Sequence, residues 1–180
     1  MIKTLPLIHQ ACWQELAAAV SQRDHGFRLM GVATVNGDAA DLRTVVLREV
    51  QPDQRTLLFF TDARTPKVAQ IQAHPGATLM VWCARLGWQL RLRVRLEVET
   101  SGLAVSSRWA RLSMTPAAQD FLAPLPPGSL LQAIQPDRAS RAQFAVVSAQ
   151  VQAIDWLELH TAGRRRAQFD AIGNGQWITP

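Results

Sequence analysis

Residues 89–99 read QLRLRVRLEVE, and this stretch decides the fold class because two kinds of side chain alternate along it. In a β-strand, successive side chains point to opposite faces of the sheet. One face would be apolar and the other mostly basic, with Leu90, Leu92, Val94, Leu96 and Val98 on the first and Arg91, Arg93, Arg95 and Glu97 on the second. The alternation predicts a strand with one side on a core and the other facing water or a partner.

The segments around this strand predict further strands and short helices. Residues 27–35 and 42–50 flank Asn36-Gly37, a dipeptide that favours a tight hairpin turn. Thr65-Pro66-Lys67 opens a helix, because Thr65 can cap free amides and Pro66 suits the first helical position. Apolar patterns predict other strands at 56–61, 78–84 and 144–160, and other helices near 13–20 and 103–112. About six antiparallel strands with short helices predict a mainly β fold, closed as a small barrel.

The composition narrows the range of functions. The chain has 180 residues, of which 48% are hydrophobic, so we expect one domain over residues 1–180. No apolar run is long enough to cross a bilayer, and we expect a soluble, cytoplasmic protein with no membrane partner. Cys12 and Cys83 lie far apart and the four histidines are scattered, so no metal site is predicted.

The charge balance is basic, with a net charge of +5 and a pI of about 10.5. Such an excess of positive charge suits a protein that binds nucleic acid. It also suits a phosphorylated small molecule, because the guanidinium group of arginine matches the geometry of a phosphate. Charge alone therefore leaves both partners open.

Three segments together are candidates for holding a phosphate monoester. Arg43 and Arg48 lie at the two ends of the apolar run RTVVLR, and Phe60-Thr61 ends a buried strand. Lys67 lies in the first turn of a helix, where free amides and the helix dipole favour an anion. The alternative from spacing alone is that these charged residues merely cover the surface. Residues 115–136 carry five prolines and predict a long surface segment.

Taken in order, these motifs resemble the pyridoxamine 5′-phosphate oxidase family of FMN-binding split barrels. RTVVLR is similar to the family strand Arg-x-Val-Leu-Leu-Lys, and FFTDARTPKVAQIQAHPGATLMVW is similar to its Phe-Tyr-Thr-Asn, Ser-Arg-Lys, Asn-Pro and Trp landmarks. WQLRLRVRLEVE and IDWLELHTAGRRRAQF are similar to two later strands. The resemblance implies a six-stranded antiparallel split barrel of Greek-key type. It also implies a homodimer that binds flavin mononucleotide (FMN) at the subunit interface.

The resemblance also implies roles for particular residues. Arg43 and Lys67 would hold the FMN phosphate, Thr61 would add a hydroxyl contact, and backbone groups of residues 45–47 would line the isoalloxazine ring. Gln89, Trp156 and Arg166 would come from the second subunit, although Trp156 is equally well interpreted as a core aromatic. The full set implied for the cofactor is Arg43, Thr44, Val45, Val46, Leu47, Arg48, Phe60, Thr61, Lys67, Gln89, Trp156 and Arg166.

The chain departs from the family pattern at the start of the 66–73 helix and at positions of the family's substrate site. Pro66 stands where the family has arginine, with Arg64 as a candidate replacement, and the chain has no tyrosine, so that Ala104 takes the place of one. Ser107-Arg108 matches the family's Ser-Arg, whereas Ala162 and Arg164 replace its final Arg and His. We therefore expect retained FMN binding without oxidation of pyridoxamine phosphate.

The function predicted from the sequence is an FMN-binding oxidoreductase related to pyridoxamine 5′-phosphate oxidase, acting on an unknown small molecule. One alternative is a non-catalytic protein that binds or stores a flavin or haem in the same barrel. A basic nucleic-acid-binding barrel is a further alternative, favoured by the pI, but nucleic acid is not the expected partner.

Overall fold

The computed structural model describes residues 4–130, 143–160 and 163–180. Within that part of the chain there are three α-helices, namely α1 (Leu5–Ser21), α2 (Pro66–Ala73) and α3 (Leu103–Ser113). There are also nine strands: β1 (Leu29–Asn36), β2 (Ala39–Val46), β3 (Glu49–Gln51), β4 (Thr56–Asp62), β5 (Gly76–Cys83), β6 (Trp88–Glu99), β7 (Phe144–His160), β8 (Gly163–Asp170) and β9 (Gly175–Ile178). Short 3₁₀ helices occur at Gly26–Arg28, Pro52–Gln54 and Pro116–Phe121.

The sheet is antiparallel throughout and runs in the order β2-β1-β5-β6-β7-β4-β3, with β8 and β9 added beyond β7. β5, β6 and β7 follow one another as neighbours, and β4, which is joined to β5 through α2, lies beside β7. That arrangement of four strands is a Greek key. β2 ends the path on one side and lies close to β4 without pairing to it, so the barrel is split between these two strands.

The mainly β, antiparallel fold is confirmed, but the expected number of six strands is too low for the described residues. One extra strand arises because the run LRTVVLREV is not continuous. The amide of Leu47 donates to the Arg28 carbonyl at 2.8 Å, and that of Arg48 donates to the Leu58 carbonyl at 2.9 Å. The chain thus leaves β1 and starts pairing with β4 within two residues, which separates β2 from β3. The C-terminal residues add the other two strands, β8 and β9.

The hairpin between β1 and β2 has the predicted place and a slightly different turn. Asn36 pairs with Ala39, so the two central residues are Gly37 and Asp38. Gly37 has a φ of 63°, a conformation that glycine adopts without the steric cost of a Cβ atom. The turn sets the register of the whole hairpin and places Thr34 opposite Asp41.

The core confirms the alternation along β6. Leu90, Leu92, Val94 and Leu96 are buried, and the arginines between them are exposed. Burial of each such leucine or valine side chain stabilises the fold by about 1.5–3 kcal/mol. α1 packs Ile8, Cys12 and Leu16 into the same core. It ends at Ser21, a few residues before the expected end near Asp24.

A smaller apolar cluster joins α3 and the 3₁₀ helix at 116–121 to β4 and β7. Phe144 lies at its centre, in contact with the rings of Phe60, Trp109 and Phe121. This cluster places the first part of the proline-rich segment beside β4. The remainder, residues 131–136, lies outside the described residues, as does Ala162.

Both cysteines are buried, and burial raises the pKa of the Cys12 thiol. Among the described residues, no group of three or more His, Cys, Asp or Glu side chains is placed to hold a metal ion. The same part of the chain contains no helix with the length and hydropathy needed to span a membrane.

Candidate functional site

Polar side chains meet where β2, β4 and the start of α2 converge. We call this group the basic cluster: Arg43 and Lys67 with Thr34, Asp41, Thr61, Thr65 and Gln70. Arg43 Nη1 donates to the Thr34 hydroxyl, and Arg43 Nη2 donates to Gln70 Oε1 at 2.9 Å. Arg43 Nη2 also pairs with Asp41 Oδ2 at 2.6 Å. The guanidinium is therefore held in one orientation by groups from β1, β2 and α2.

Lys67 is held by a chain of hydroxyl groups. Its Nζ donates to Thr61 Oγ1 at 3.1 Å, and Thr61 Oγ1 lies 3.2 Å from Thr65 Oγ1. Thr65 Oγ1 donates to the carbonyl of Asp62 at 2.8 Å. The expected capping role of Thr65 is thus wrong, because its hydroxyl turns back to β4 and makes no side-chain cap bond to α2. Pro66 does occupy the start of the helix, as predicted.

The two cations of the basic cluster are close enough to influence each other. Burial, followed by the charge of Arg43, lowers the pKa of Lys67, and the charges of Asp62 and Asp41 oppose that shift in part. The hydrogen bond from Gln70, together with the charge of Arg43, lowers the pKa of Asp41. Since like charges held together favour an added anion, the cluster is suited to a phosphate. The positive end of the α2 dipole acts in the same sense.

Arg64 does not take the place of the family arginine that Pro66 replaces. Its guanidinium donates to both carboxylate oxygens of Asp62, at 3.0 and 2.6 Å. It also donates to the carbonyls of Ala123 and Pro124, at 2.9 and 3.0 Å. The hydrogen bond to Asp62 raises the pKa of Arg64. Arg64 therefore fastens the proline-rich segment to the end of β4.

The backbone of β2 has an open edge, because β1 is its only pairing partner among the described strands. Val45 and Leu47 are buried, whereas Thr44 is exposed on the opposite face and Val46 is half-buried there. Alternate N–H and C=O groups of an edge strand point away from its partner. This edge is where the sequence predicted backbone contacts to a ligand.

Arg48 and Phe60 lie in a separate small cavity of about 190 Å³, which they line together with Glu49, Arg108, Arg111 and Leu112. The Arg48 guanidinium lies 5.9 Å from the centre of the Phe60 ring. Burial and the charge of Arg28 lower the pKa of Arg48. Arg108 forms a two-pronged contact with Glu49, at 3.0 and 2.8 Å. Arg48 and Phe60 are thus separated from Arg43, Thr61 and Lys67 of the basic cluster.

Gln89 and Arg166, the residues assigned to a second subunit, belong to the outer face of β6, β7 and β8. Gln89 is half-buried and neighbours Leu157, which pairs in turn with Arg166. Asp155 accepts from Arg91 at 2.5 Å and from Arg166 at 2.7 Å. A cavity of about 630 Å³ opens on this face, with Arg91, Arg93, Asp155 and Gln168 in its lining. Among the described residues, neither Gln89 nor Arg166 forms a hydrogen bond with the basic cluster of its own chain.

Trp156 has no exposed surface. Its ring packs edge-on against Trp88 with 5.4 Å between ring centres, and its Nε1 has no hydrogen-bond partner among the described residues. This position favours the core-aromatic interpretation over direct contact with a ligand.

Sequence reasoning missed Thr34, Asp41 and Gln70, which surround Arg43. The register of the hairpin could have indicated the first two, since a two-residue turn at Gly37-Asp38 puts Thr34 opposite Asp41. Gln70 had no such signal, because it belongs to α2 and reaches β1 and β2 only in three dimensions.

Comparison with known proteins agrees with this fold. Residues 10–100, half of the chain, match the family model of the pyridoxamine 5′-phosphate oxidase FMN-binding domain. A pyridoxine/pyridoxamine 5′-phosphate oxidase of Thermosynechococcus vestitus is 41% identical over 69 residues. That match covers 38% of this chain and spans about a third (32%) of the length of the relative.

Two solved structures share the architecture over nearly the whole chain. One is a pyridoxamine 5′-phosphate oxidase-related, FMN-binding protein of Nostoc punctiforme, with a TM-score of 0.74, 22% identity and full coverage of both chains. The other is PhzG of Burkholderia lata in complex with tetrahydrophenazine-1-carboxylic acid, with a TM-score of 0.73 and 14% identity. It covers 97% of this chain and 92% of PhzG. At such identities the likeness concerns the fold. Together with the family model, it places this chain in the family of pyridoxamine 5′-phosphate oxidase FMN-binding domains, whose cofactor is FMN.

Proposed function

We propose that the protein is an FMN-dependent oxidoreductase that acts on a small molecule. The observation that carries the proposal is the pair of cations in the basic cluster. Arg43 on β2 and Lys67 on α2 are both fixed by hydrogen bonds, at the end of an open strand edge. Such a pair holds a phosphate firmly, because its orientation does not have to be created on binding.

The donor set fits the phosphate group of FMN. A phosphate monoester carries about −1.5 to −2 charges at pH 7, and its oxygens accept several hydrogen bonds. Arg43 and Lys67 supply charge, and a dianion relieves their repulsion, which adds to burial in lowering the pKa of Lys67. The flavin would supply hydride transfer when bound, whereas the protein supplies binding and orientation. Residues 45–47 would lie along the ring through their backbone.

The cavity beside Arg48 is the candidate for the substrate. The cavity lies just beyond the end of β2, where Arg48 lines it. Its three arginines, Arg48, Arg108 and Arg111, suit a substrate with an anionic group. Glu49 pairs with Arg108 and Arg111, so an anionic substrate would compete with this carboxylate. The absence of tyrosine from the sequence argues against pyridoxamine 5′-phosphate as that substrate.

The proposed assembly is a homodimer with FMN between the subunits. Large apolar side chains are exposed on the outer face of β1, β2 and β5, namely Leu29 (58%), Leu42 (68%), Met80 (41%) and Trp82 (40%). They lie on one face, because Met80 is opposite Gly31 and Leu42 is opposite Ala33 in the paired strands. Gln89 pairs with Trp82, so this patch continues into the face that carries Arg91 and Arg166. A second copy, related by a two-fold axis, would cover this surface and bring Gln89 to the partner's flavin.

Binding of a flavin without turnover is the second candidate, and the small size of the Arg48 cavity favours it. Its volume of about 190 Å³ is below the range of roughly 300–1,000 Å³ that is usual for ligand pockets. A protein with room for the cofactor alone would store or sense it.

FMN titration of the flavin-free protein, followed by light scattering, tests the proposal. We expect one FMN per chain, retained on a dimer, and anaerobic bleaching of the flavin absorbance by a suitable electron donor or substrate. A dimer that holds FMN but is not reduced by any physiological donor would support storage. A protein that does not retain FMN would refute both candidates.

A further inference from the structure

Asp41 is an acidic residue inside a site suited to an anion. Its Oδ2 lies 2.6 Å from Arg43 Nη2 and accepts a hydrogen bond from Gln70 Nε2 at 2.9 Å. We propose that Asp41 competes with the phosphate of the ligand for Arg43 and thereby sets the affinity and selectivity of the site. This inference rests on the proposed function and adds a residue that lowers, rather than supplies, affinity.

The hydrogen bonds of Arg43 show why a competitor matters. A guanidinium has five N–H donors. Two on Nη1 are directed to the Thr34 hydroxyl and, at 3.4 Å, to the Val32 carbonyl. Nη2 donates to Gln70 Oε1 and forms an ion pair with Asp41 Oδ2 at 2.6 Å. A phosphate that approaches Nη2 therefore has to displace Asp41 or share Arg43 with it.

Asp41 is the partner that can give way at the lowest cost. The Thr34 and Gln70 side chains are buried, and an unpaired buried polar group costs about 1–3 kcal/mol. The Asp41 side chain is 41% exposed, so water can solvate it once it leaves Arg43. It is also the one anion among the four groups that contact the Arg43 guanidinium, and it therefore repels an incoming phosphate.

Removal of the Asp41 charge would leave Arg43 in place. Thr34, Gln70 and the Val32 carbonyl would still accept from three of its N–H groups. All three partners belong to β1 or α2, so they do not depend on Asp41. If Asp41 positioned Arg43 instead, its loss would weaken phosphate binding. Loss of the Asp41 charge thus tightens phosphate binding if Asp41 competes for Arg43 and weakens it if Asp41 positions Arg43.

Asp41 acts on both cations of the cluster. Its charge is one of those that oppose the lowering of the pKa of Lys67. Arg43, Lys67 and Asp41 together carry one net positive charge, and without the carboxylate they carry two. Asp62 does not change this difference, because its carboxylate is bonded to Arg64. A dianionic ligand gains from the added charge, whereas a neutral ligand does not.

The test uses flavin-free protein and compares Asp41→Asn with Asp38→Asn. Asp38 is an exposed carboxylate in the turn of the same hairpin, so it controls for the general loss of one negative charge. Dissociation constants for FMN and riboflavin are measured by fluorescence titration at one ionic strength. We expect Asp41→Asn to tighten FMN binding about three- to tenfold and to change riboflavin binding less than twofold. Asp38→Asn should change both less than twofold.

A second measurement does not depend on flavin binding. Inorganic phosphate should raise the unfolding temperature of Asp41→Asn more than that of the wild type or of Asp38→Asn. If the wild type binds no FMN but this difference appears, the proposed function fails and the role of Asp41 stands. Unchanged or weaker binding of FMN and phosphate by Asp41→Asn would overturn the role of Asp41 while leaving the function intact. Asp41→Ser serves as the second variant if Asp41→Asn does not fold.

Discussion

The basic cluster and the outer face of β6 are both rich in arginine, but the protein uses the charge differently in the two regions. The Arg43 side chain is 19% exposed, donates to three uncharged acceptors and pairs with one carboxylate, that of Asp41. The Arg91 side chain is 47% exposed and pairs across strands with Asp155. Arg93 and Arg95 are exposed on the same face. Position in the fold, rather than residue type, separates a binding site from a surface.

The difference follows from how each arginine is supported. Arg43 is surrounded by groups from three elements, which fix its guanidinium without neutralising it fully. The β6 arginines depend on neighbours in adjacent strands of a surface that, in the proposed dimer, a second subunit covers. Substitutions in the first region should therefore affect phosphate binding, and those in the second should affect association.

The largest effect is expected from loss of a cation in the basic cluster. Lys67→Met keeps the aliphatic stem and removes a charged donor, so we expect FMN affinity to fall by about 3–4 kcal/mol, roughly 150- to 1,000-fold. Titration of flavin-free protein measures it. Arg95→Met, on the outer face, is the matched control and should change FMN affinity less than threefold. Equal losses in the two variants would remove the distinction between the regions.

The second effect concerns association. Trp82→Glu places a charge in the apolar patch, and we expect it to weaken the dimer by about 2–3 kcal/mol, which is roughly 30- to 150-fold. Light scattering across a dilution series measures the change, and FMN should be lost along with the dimer. Leu103→Glu, on α3 and 84% exposed, alters an equally apolar side chain outside the patch and should leave association unchanged. A wild-type protein that is monomeric at all concentrations would contradict the proposed assembly.

The third effect concerns stability beside the basic cluster. Asp62 is buried and accepts from the backbone amide of Arg64 at 2.8 Å as well as from its guanidinium. Asp62→Asn loses the charge-assisted bonds, and we expect the free energy of unfolding to fall by about 1–3 kcal/mol. Urea denaturation measures it, with Asp53→Asn as an exposed control. If the two variants are equally stable, the contacts of Arg64 do not hold the segment at residues 123–124.

The smallest effect is a pH dependence on the outer face. Burial by itself raises the pKa of Asp155, but hydrogen bonds from Arg166 and Arg91 outweigh it and hold that pKa below its ordinary value of 3.8. A carboxyl with a lowered folded-state pKa stabilises the fold above about pH 4, and this contribution is lost as the pH falls through the folded-state pKa. Urea midpoints of Asp155→Asn should lie below those of the wild type at pH 6 and approach them as the pH falls below about 4. A constant difference would contradict this ionic role.

Local pattern was sufficient for most of the fold. The alternation along β6, the hairpin at Gly37 and the helix start at Pro66 each depend on neighbours in sequence, and each was found where predicted. The strand break after Val46 was not predicted, because it depends on pairing of Arg48 with Leu58 from β4. The site shows the same division, since Arg43, Thr61 and Lys67 were predicted and Gln70 was not.

The sequence by itself determined most of the strands, which face of β6 is buried and which cations are candidates for binding a phosphate. It could do so because periodicity and turn chemistry act within a few residues of one another. Only the tertiary structure decided that Asp41 shares Arg43, that Arg64 is bound to Asp62 and the carbonyls at 123–124, and that Trp156 lies in the core. Asp41 and Arg43 share one face of β2, which periodicity does indicate. Their common contact with Gln70 on α2, the contacts of Arg64 with residues 123–124 and the burial of Trp156 join separate elements, and periodicity reports only which side of its own strand or helix a residue occupies.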